Sequence, residues 1–256
     1  MPEEQTVKLE ILEGVARVWL ARPKHNVFNI PMMKELNGIL ESLKQDLSLK
    51  CVVILGEGPS WCAGVDVGDH KPEMVGEMIS TFNRIFELID GLDIPTIAAV
   101  QGACLGGGME VAIACDIIIA SRKAVFGQPE VKLGFFPPYA AIRLPALIGP
   151  AKAIEICTTG RTFGADEALA LGMISRSVEP DQFDGAVAKM IQEIQASSPL
   201  ILRLNKLAVK KHLGMDFCQA LAGVSDMFLN TLMKTEDTLE GIASFYEKRK
   251  PVWKNV

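Results

Sequence analysis

Apolar and polar positions alternate over Val7–Leu12 and again over Val15–Leu20, the period of two expected of half-buried strands. Only Glu13-Gly14 lies between them, which predicts a tight hairpin turn. After Pro23 the period lengthens. Asn29 is placed as an N-cap and Pro31 as a first-turn proline, and Met33, Leu36, Leu40, Leu43 and Leu47 recur at helical spacing. The segment 51–55 (CVVIL) reads as a buried strand, 56–66 (GEGPSWCAGVD) as a loop of small residues, and 73–91 as a helix. The apolar face of that helix carries Met78, Phe82, Ile85, Phe86 and Ile89. Pro95 then introduces a strand at Thr96–Val100, a helical stretch at 109–115 and a further buried strand at 116–120. A loop-rich stretch at 126–136 precedes short helices at 140–148 and 151–158, parted by Gly149-Pro150. A helix at 165–171, closed by Gly172, and a short strand at 173–178 complete this part.

From Gln182 onward the pattern is helical throughout, at about 183–196, 199–213, 216–233 and 236–248. Ser197-Ser198-Pro199 marks the change, and divides a core of 1–197 from a helical region of 198–256. Met227, Phe228, Leu232 and Met233 fall on more than one face of the 216–233 helix, more than one surface helix needs, which points to burial against another subunit. The alternation of strands and helices predicts an α/β fold.

Composition narrows the functions open to such a chain. With 256 residues, 49% of them hydrophobic, it can bury a substantial core. A net charge of −5 argues against nucleic acid or an anionic membrane as main partner. Six cysteines are scattered without a C-x-x-C pair, as free thiols in a reducing compartment would be. No apolar run reaches a membrane-spanning length, and MPEEQTVKLE lacks a signal-peptide pattern, so a cytoplasmic protein is expected.

The chemistry concentrates in two loops and two acids. In PTIAAVQGACLGGGMEVAIACD (95–116) a buried strand passes through Gly106-Gly107-Gly108 into an apolar helical segment. Such a turn leaves unpaired N–H groups at the helix start. Glu110, one turn in, is either a partner of the helix dipole or a catalytic group. WCAG (61–64) repeats the design, and two N–H groups aimed at one point would stabilise negative charge on a carbonyl oxygen. Nucleophilic triad chemistry is poorly supported: His25 and His70 sit in polar loops, His212 in a basic helical end, and no G-x-S-x-G elbow occurs. Metal-ligand spacing, a P-loop and a dinucleotide fingerprint are also missing. Glu130, beside Pro129, is either a surface acid or the second member of a carboxyl pair.

Taken together, SWCAGVD, VQGACLGGGMEVAIACDIIIAS and FGQPEVKLG resemble the crotonase, or enoyl-CoA hydratase/isomerase, superfamily, and the resemblance runs from ARVWLARPKHNVFN to EGIASFYEKRKPVW. It implies an α/β crotonase (ClpP/crotonase-like) fold of repeated β-β-α units with a C-terminal helical trimerisation region. It also implies an acyl-CoA thioester substrate, no metal or redox cofactor, and a homotrimer or homohexamer. By resemblance, the backbone N–H groups of Ala63 and Gly107 form an oxyanion hole, while Glu110 activates water and Glu130 supplies a proton to carbon. CoA contacts would come from Lys24, Gly64, Val65, Asp66 and Lys248, the last reaching a neighbouring subunit's nucleotide.

One departure bears on the acyl group. After FGQPE-x-x-LG the common hydratases continue with a glycine-rich I-P-G-A-G-G-T, where this chain has FFPPYAAIRLP (135–145). Pro138 and Tyr139 thus stand at an expected acyl-pocket wall, as in the branch that hydrates cyclohexa-1,5-diene-1-carbonyl-CoA. A cyclic dienoyl-CoA hydratase is therefore the leading expectation. The alternatives are a straight-chain enoyl-CoA hydratase, a double-bond isomerase, which needs one acid only, and a catalytically silent CoA-ester-binding subunit.

Overall fold

Glu13 and Gly14 both adopt positive φ, 50° and 76°, the backbone that a two-residue hairpin turn needs to match strand twist. They join β1 (Val7–Leu12) to β2 (Val15–Leu20), antiparallel, with Leu12 opposite Val15. The computed structural model describes residues 5–256. Helix α1 (Ile30–Leu43) begins as its cap dictates, with the Met32 N–H donating to the Asn29 side chain at 3.0 Å. It stops short of Leu47, which is exposed. Asp46 takes hydrogen bonds from both the backbone N–H and the hydroxyl of Ser48, and that local turn competes with another helical turn.

Three units of one design follow. Each is a long strand, a three-residue strand and a helix: β3 (Cys51–Gly56), β4 (Ser60–Cys62), α2 (Val75–Asp90); then β5 (Thr96–Val100), β6 (Ala103–Leu105), α3 (Gly107–Ala114). The third is β7 (Ile117–Ser121), β8 (Val125–Gly127), α4 (Pro138–Ile148). Helix α5 (Pro150–Thr159), β9 (Thr162–Gly164), α6 (Ala165–Ala170) and β10 (Arg176–Val178) complete the core. The long strands, with the three-residue β10 at one edge, form a six-stranded sheet in the order β1-β2-β3-β5-β7-β10, and the other short ones a second sheet, β4-β6-β8-β9. This is the α/β crotonase fold. The short strands are where the structure differs from the sequence reading, which placed 56–66 wholly in a loop. Three residues are too few to display a period of two.

Helices α1, α2 and α3 pack one face of the large sheet, and α7 (Phe183–Gln195) covers the other with Phe183, Val187 and Ile191. All five residues of β5 and all eight of α3 are buried. The inner strands β3, β5 and β7 are thus almost continuously apolar because both faces are covered, whereas β1 at the edge alternates. The small sheet positions the site. Strands β4, β6 and β8 run parallel as neighbours, with Cys62 opposite Cys104 and Leu105 opposite Gly127. Their C-terminal ends therefore release residues 63–65, 106–107 and 128–130 side by side.

The C-terminal helices α8 (Pro199–Lys210), α9 (Phe217–Asn230) and α10 (Glu236–Glu247) lie outside this arrangement. Lys206 anchors α8, its Nζ 2.6 Å from Asp116 Oδ2 and 2.9 Å from the Ile94 carbonyl. No residue of α9 is buried, and Phe217, Phe228, Leu229 and Phe245 are all more than half exposed. Among the described residues no helix is long and apolar enough to cross a membrane.

Candidate active site

The three adjacent strand ends enclose one wall of a cavity of about 360 Å³, which Ala63, Gly64, Val65, Gly106, Gly107, Glu110, Glu130 and Pro138 help to line. Seven of the expected site residues therefore meet: Ala63, Gly64, Val65, Gly107, Glu110, Glu130 and Pro138. Four do not. Lys24 borders a separate cavity with Ala21, Asn26 and Glu57. Asp66 accepts from the Gly68 N–H at 3.0 Å and faces Arg22 at 3.5 Å, so its carboxylate caps a turn. Lys248 closes α10 in a left-handed conformation, away from both cavities. The Tyr139 ring stacks on Phe86, with centroids 3.9 Å apart and planes within 8°, and belongs to the core packing instead of the cavity wall.

The backbone corrects one further expectation. The Ala63 N–H donates to the His25 carbonyl at 2.9 Å and is not free to meet a ligand. One residue on, the Gly64 carbonyl accepts from the Phe28 N–H at 2.9 Å. In a trans peptide the C=O and N–H point in opposite directions, so the Val65 N–H points away from Phe28. It has no acceptor among the described residues, and Val65 lines the cavity. The Gly107 N–H is similarly unpaired as the first of α3, whose Gly106 carbonyl already accepts from Glu110 N–H at 3.0 Å. A Cβ on Gly107 would come within 2.5 Å of Val65 Cγ2 and 2.9 Å of the Phe82 ring. Glycine is what lets the two donors approach one another.

Glu110 is only 2% exposed. Its Oε1 accepts from the Ala140 N–H at 2.8 Å, at the start of α4. The dipole it meets is thus that of another helix, beginning at Pro138, and not its own. Burial pushes its carboxyl up to about 7, opposed by the Ala140 bond and reinforced by the nearby Glu130 charge. Glu130 sits in a single turn of 3-10 helix, Pro129–Leu133, and burial raises it to about 7 as well. Gln128 is fully buried, and setting its amide so that the nitrogen faces the acid lets it donate to both Glu130 oxygens at 3.0 Å. A Cβ on Gly106 would lie 2.8 Å from Glu130 Oε1, which places this acid directly over the strand-to-helix turn. Two carboxyls that each hold a proton near neutrality can serve one as base and the other as acid.

A family model described as enoyl-CoA hydratase/isomerase matches residues 10–256. The chain belongs to the enoyl-CoA hydratase/isomerase family. As a member of it, the protein is an enzyme of the crotonase type, a hydro-lyase acting on an acyl-CoA thioester. It is 35% identical to the short-chain-enoyl-CoA hydratase of Clostridium acetobutylicum, over 97% of each chain. It is 33% identical to the cyclohexa-1,5-dienecarbonyl-CoA hydratase of Thauera aromatica, over 97% of this chain and 96% of that one. A crystal structure of enoyl-CoA hydratase from Bacillus anthracis superposes with a TM-score of 0.90 at 28% identity, covering 98% and 100% of the two chains. These similarities are alike in strength, and none singles out a cyclic acyl group.

Several groups that shape this hydratase/isomerase site went unread in the sequence. Gln128 stands inside FGQPE, where only the acid drew notice. The Ala140 N–H belongs to a segment read as an acyl wall. His70, expected in a polar loop, lines the cavity. Only its place four residues after Asp66, on a turn leaving the WCAG loop, could have drawn attention to it.

Proposed function

We propose that this family member adds water to a conjugated enoyl-CoA, with the thioester oxygen bound by the Val65 and Gly107 N–H groups. What carries the reading is the convergence of two acceptor-free N–H groups and two carboxyls raised to about 7 on one cavity. The N–H pair polarises the conjugated double bond and stabilises the enolate as it forms. Ionised Glu110, oriented by Ala140, takes a proton from the attacking water while the hydroxyl adds to the β-carbon. Neutral Glu130 gives its proton to the α-carbon, so that one water is added in all. The pair returns to its starting form when Glu110 passes its extra proton to Glu130, directly or through solvent.

A straight-chain acyl group of short length is the substrate favoured here. The cyclic dienoyl thioester is a second reading, supported by the flat, rigid groups Phe82, Phe135, Phe136 and Pro138 that face the cavity. A parallel assay on crotonyl-CoA and cyclohexadienoyl-CoA, following loss of the conjugated absorbance, separates the two. Faster turnover of crotonyl-CoA supports the straight chain; faster turnover of the cyclic thioester reverses the order. Turnover of neither overturns both. We further propose that 198–256 forms the contacts of a homotrimer, with 1–197 carrying the chemistry.

A further inference from the structure

Three of the side chains lining the cavity carry oxygen or nitrogen: Glu110, Glu130 and His70. The first two have tasks in water addition. His70 has none, yet it is held in place from two sides. Its Nδ1 lies 2.9 Å from the Asp66 carbonyl oxygen. A carbonyl only accepts, so Nδ1 carries the hydrogen, and in the neutral ring Nε2 presents a lone pair. The ring also packs against that of Phe135 in a tilted arrangement, centroids 4.9 Å apart at 36°. Both supports adjoin the chemistry. Asp66 follows the donor Val65, and the Phe135 N–H donates to the Glu130 carbonyl at 3.0 Å.

No described residue pairs with Nε2. Apart from Glu110, Glu130 and His70, the lining side chains, among them Val67, Val75, Met78, Ile79 and Leu133, are apolar. An acceptor fixed in such a wall stays unpaired against a hydrocarbon chain and is paired by a chain that bears a hydroxyl. The hydroxyl that hydration creates arises at Glu110, so the group meant for His70 is one the substrate brings with it. We propose that His70 is a specificity-determining residue, whose Nε2 accepts a hydrogen bond from a hydroxyl on the acyl group beyond the β-carbon. The proposal rests on the acyl-CoA reading above, and deepens it to hydroxylated acyl thioesters.

Equilibrium binding tests this without relying on turnover. Hexanoyl-CoA and its 3-, 4-, 5- and 6-hydroxy derivatives are titrated calorimetrically into wild type, His70→Asn and His70→Gln. The expected result is that one of the 4-, 5- or 6-hydroxy ligands binds wild type about tenfold more tightly than hexanoyl-CoA, the scale of one hydrogen bond. Asparagine keeps a donor where Nδ1 was, and so keeps the Asp66 contact, but removes the atom at Nε2. Its preference should fall to near one with the melting temperature retained. Glutamine places a polar atom near Nε2 and should keep part of the preference, which also serves if the asparagine variant does not fold. No preference in wild type, a preference confined to the 3-hydroxy ligand, or a preference that survives in His70→Asn overturns the proposal. Hydration is read separately from the conjugated absorbance of hexenoyl-CoA. Hydroxyl preference without turnover would defeat the hydratase reading and leave this one standing.

Discussion

Glu110 and Glu130 reach the same titration range by the same cause, burial, and this has consequences for rate and for stability. Replacing either by glutamine keeps shape and removes the proton. Each variant should lose about 10²- to 10⁴-fold in kcat while acyl-CoA affinity changes little, as calorimetry beside the absorbance assay would record. The stability effect has the opposite sign. Burial raises Glu110 from 4.5 to about 7, so the folded chain keeps a proton that the unfolded chain releases. That contribution is complete below pH 4.5 and is lost as the pH rises through about 7. Glu110→Gln should therefore be more stable than wild type at alkaline pH, by on the order of 3 kcal/mol, and the advantage should vanish in acid. Denaturant titrations across that range decide it. The Val65 and Ala63 N–H groups can be separated the same way. An ester in place of the Val65 amide should cost about 10²- to 10³-fold in kcat with stability unchanged. The same replacement at Ala63, whose N–H holds His25, should lower stability instead, by about 1 kcal/mol.

At the scale of elements, the site exists because β4, β6 and β8 are parallel neighbours that end together. Gly108 sets how closely α3 approaches the first of them. A Cβ there would overlap the Cys62 carbonyl oxygen and come within 2.8 Å of the Cys62 Cβ. Gly108→Ala should therefore destabilise the protein by about 1 to 3 kcal/mol, seen as a lowered melting temperature, because β4 and α3 must part. The long elements were legible beforehand: β1, β2 and β5 have the bounds their alternation or apolar runs give, and α1 starts at the cap that Asn29 provides. The three-residue strands were not. Their identity comes from hydrogen bonds to partners about 40 and 20 residues away in the chain, as Ser60 to Ala103 and Ala103 to Val125, and no local period records such pairing. The helix read at 140–148 was legible, though it starts two residues earlier, at Pro138; its use was not, since only the packed chain sets the Ala140 N–H against Glu110.

For the molecule as a whole, the exposed apolar side chains collect in the C-terminal third. Phe217 is 75% exposed and Phe245 79%, on helices that bury little of their own surface. The proposed trimer predicts a light-scattering mass near three times the chain's 27.8 kDa, falling toward a single chain when Phe217 and Phe245 are both replaced by serine. The sequence by itself determined the order of long strands and helices, the family, the two acids and the glycine turn. Hydrophobic period, caps and unpaired N–H groups at a helix start are local properties, written in neighbouring residues. Tertiary structure alone decided that the Ala63 N–H is taken while the Val65 N–H is free, which helix Glu110 faces, and that His70 lines the cavity and Tyr139 does not. Those are matters of direction between segments distant in the chain. A one-residue change in which peptide plane meets Phe28 would turn a donor from the substrate to the protein.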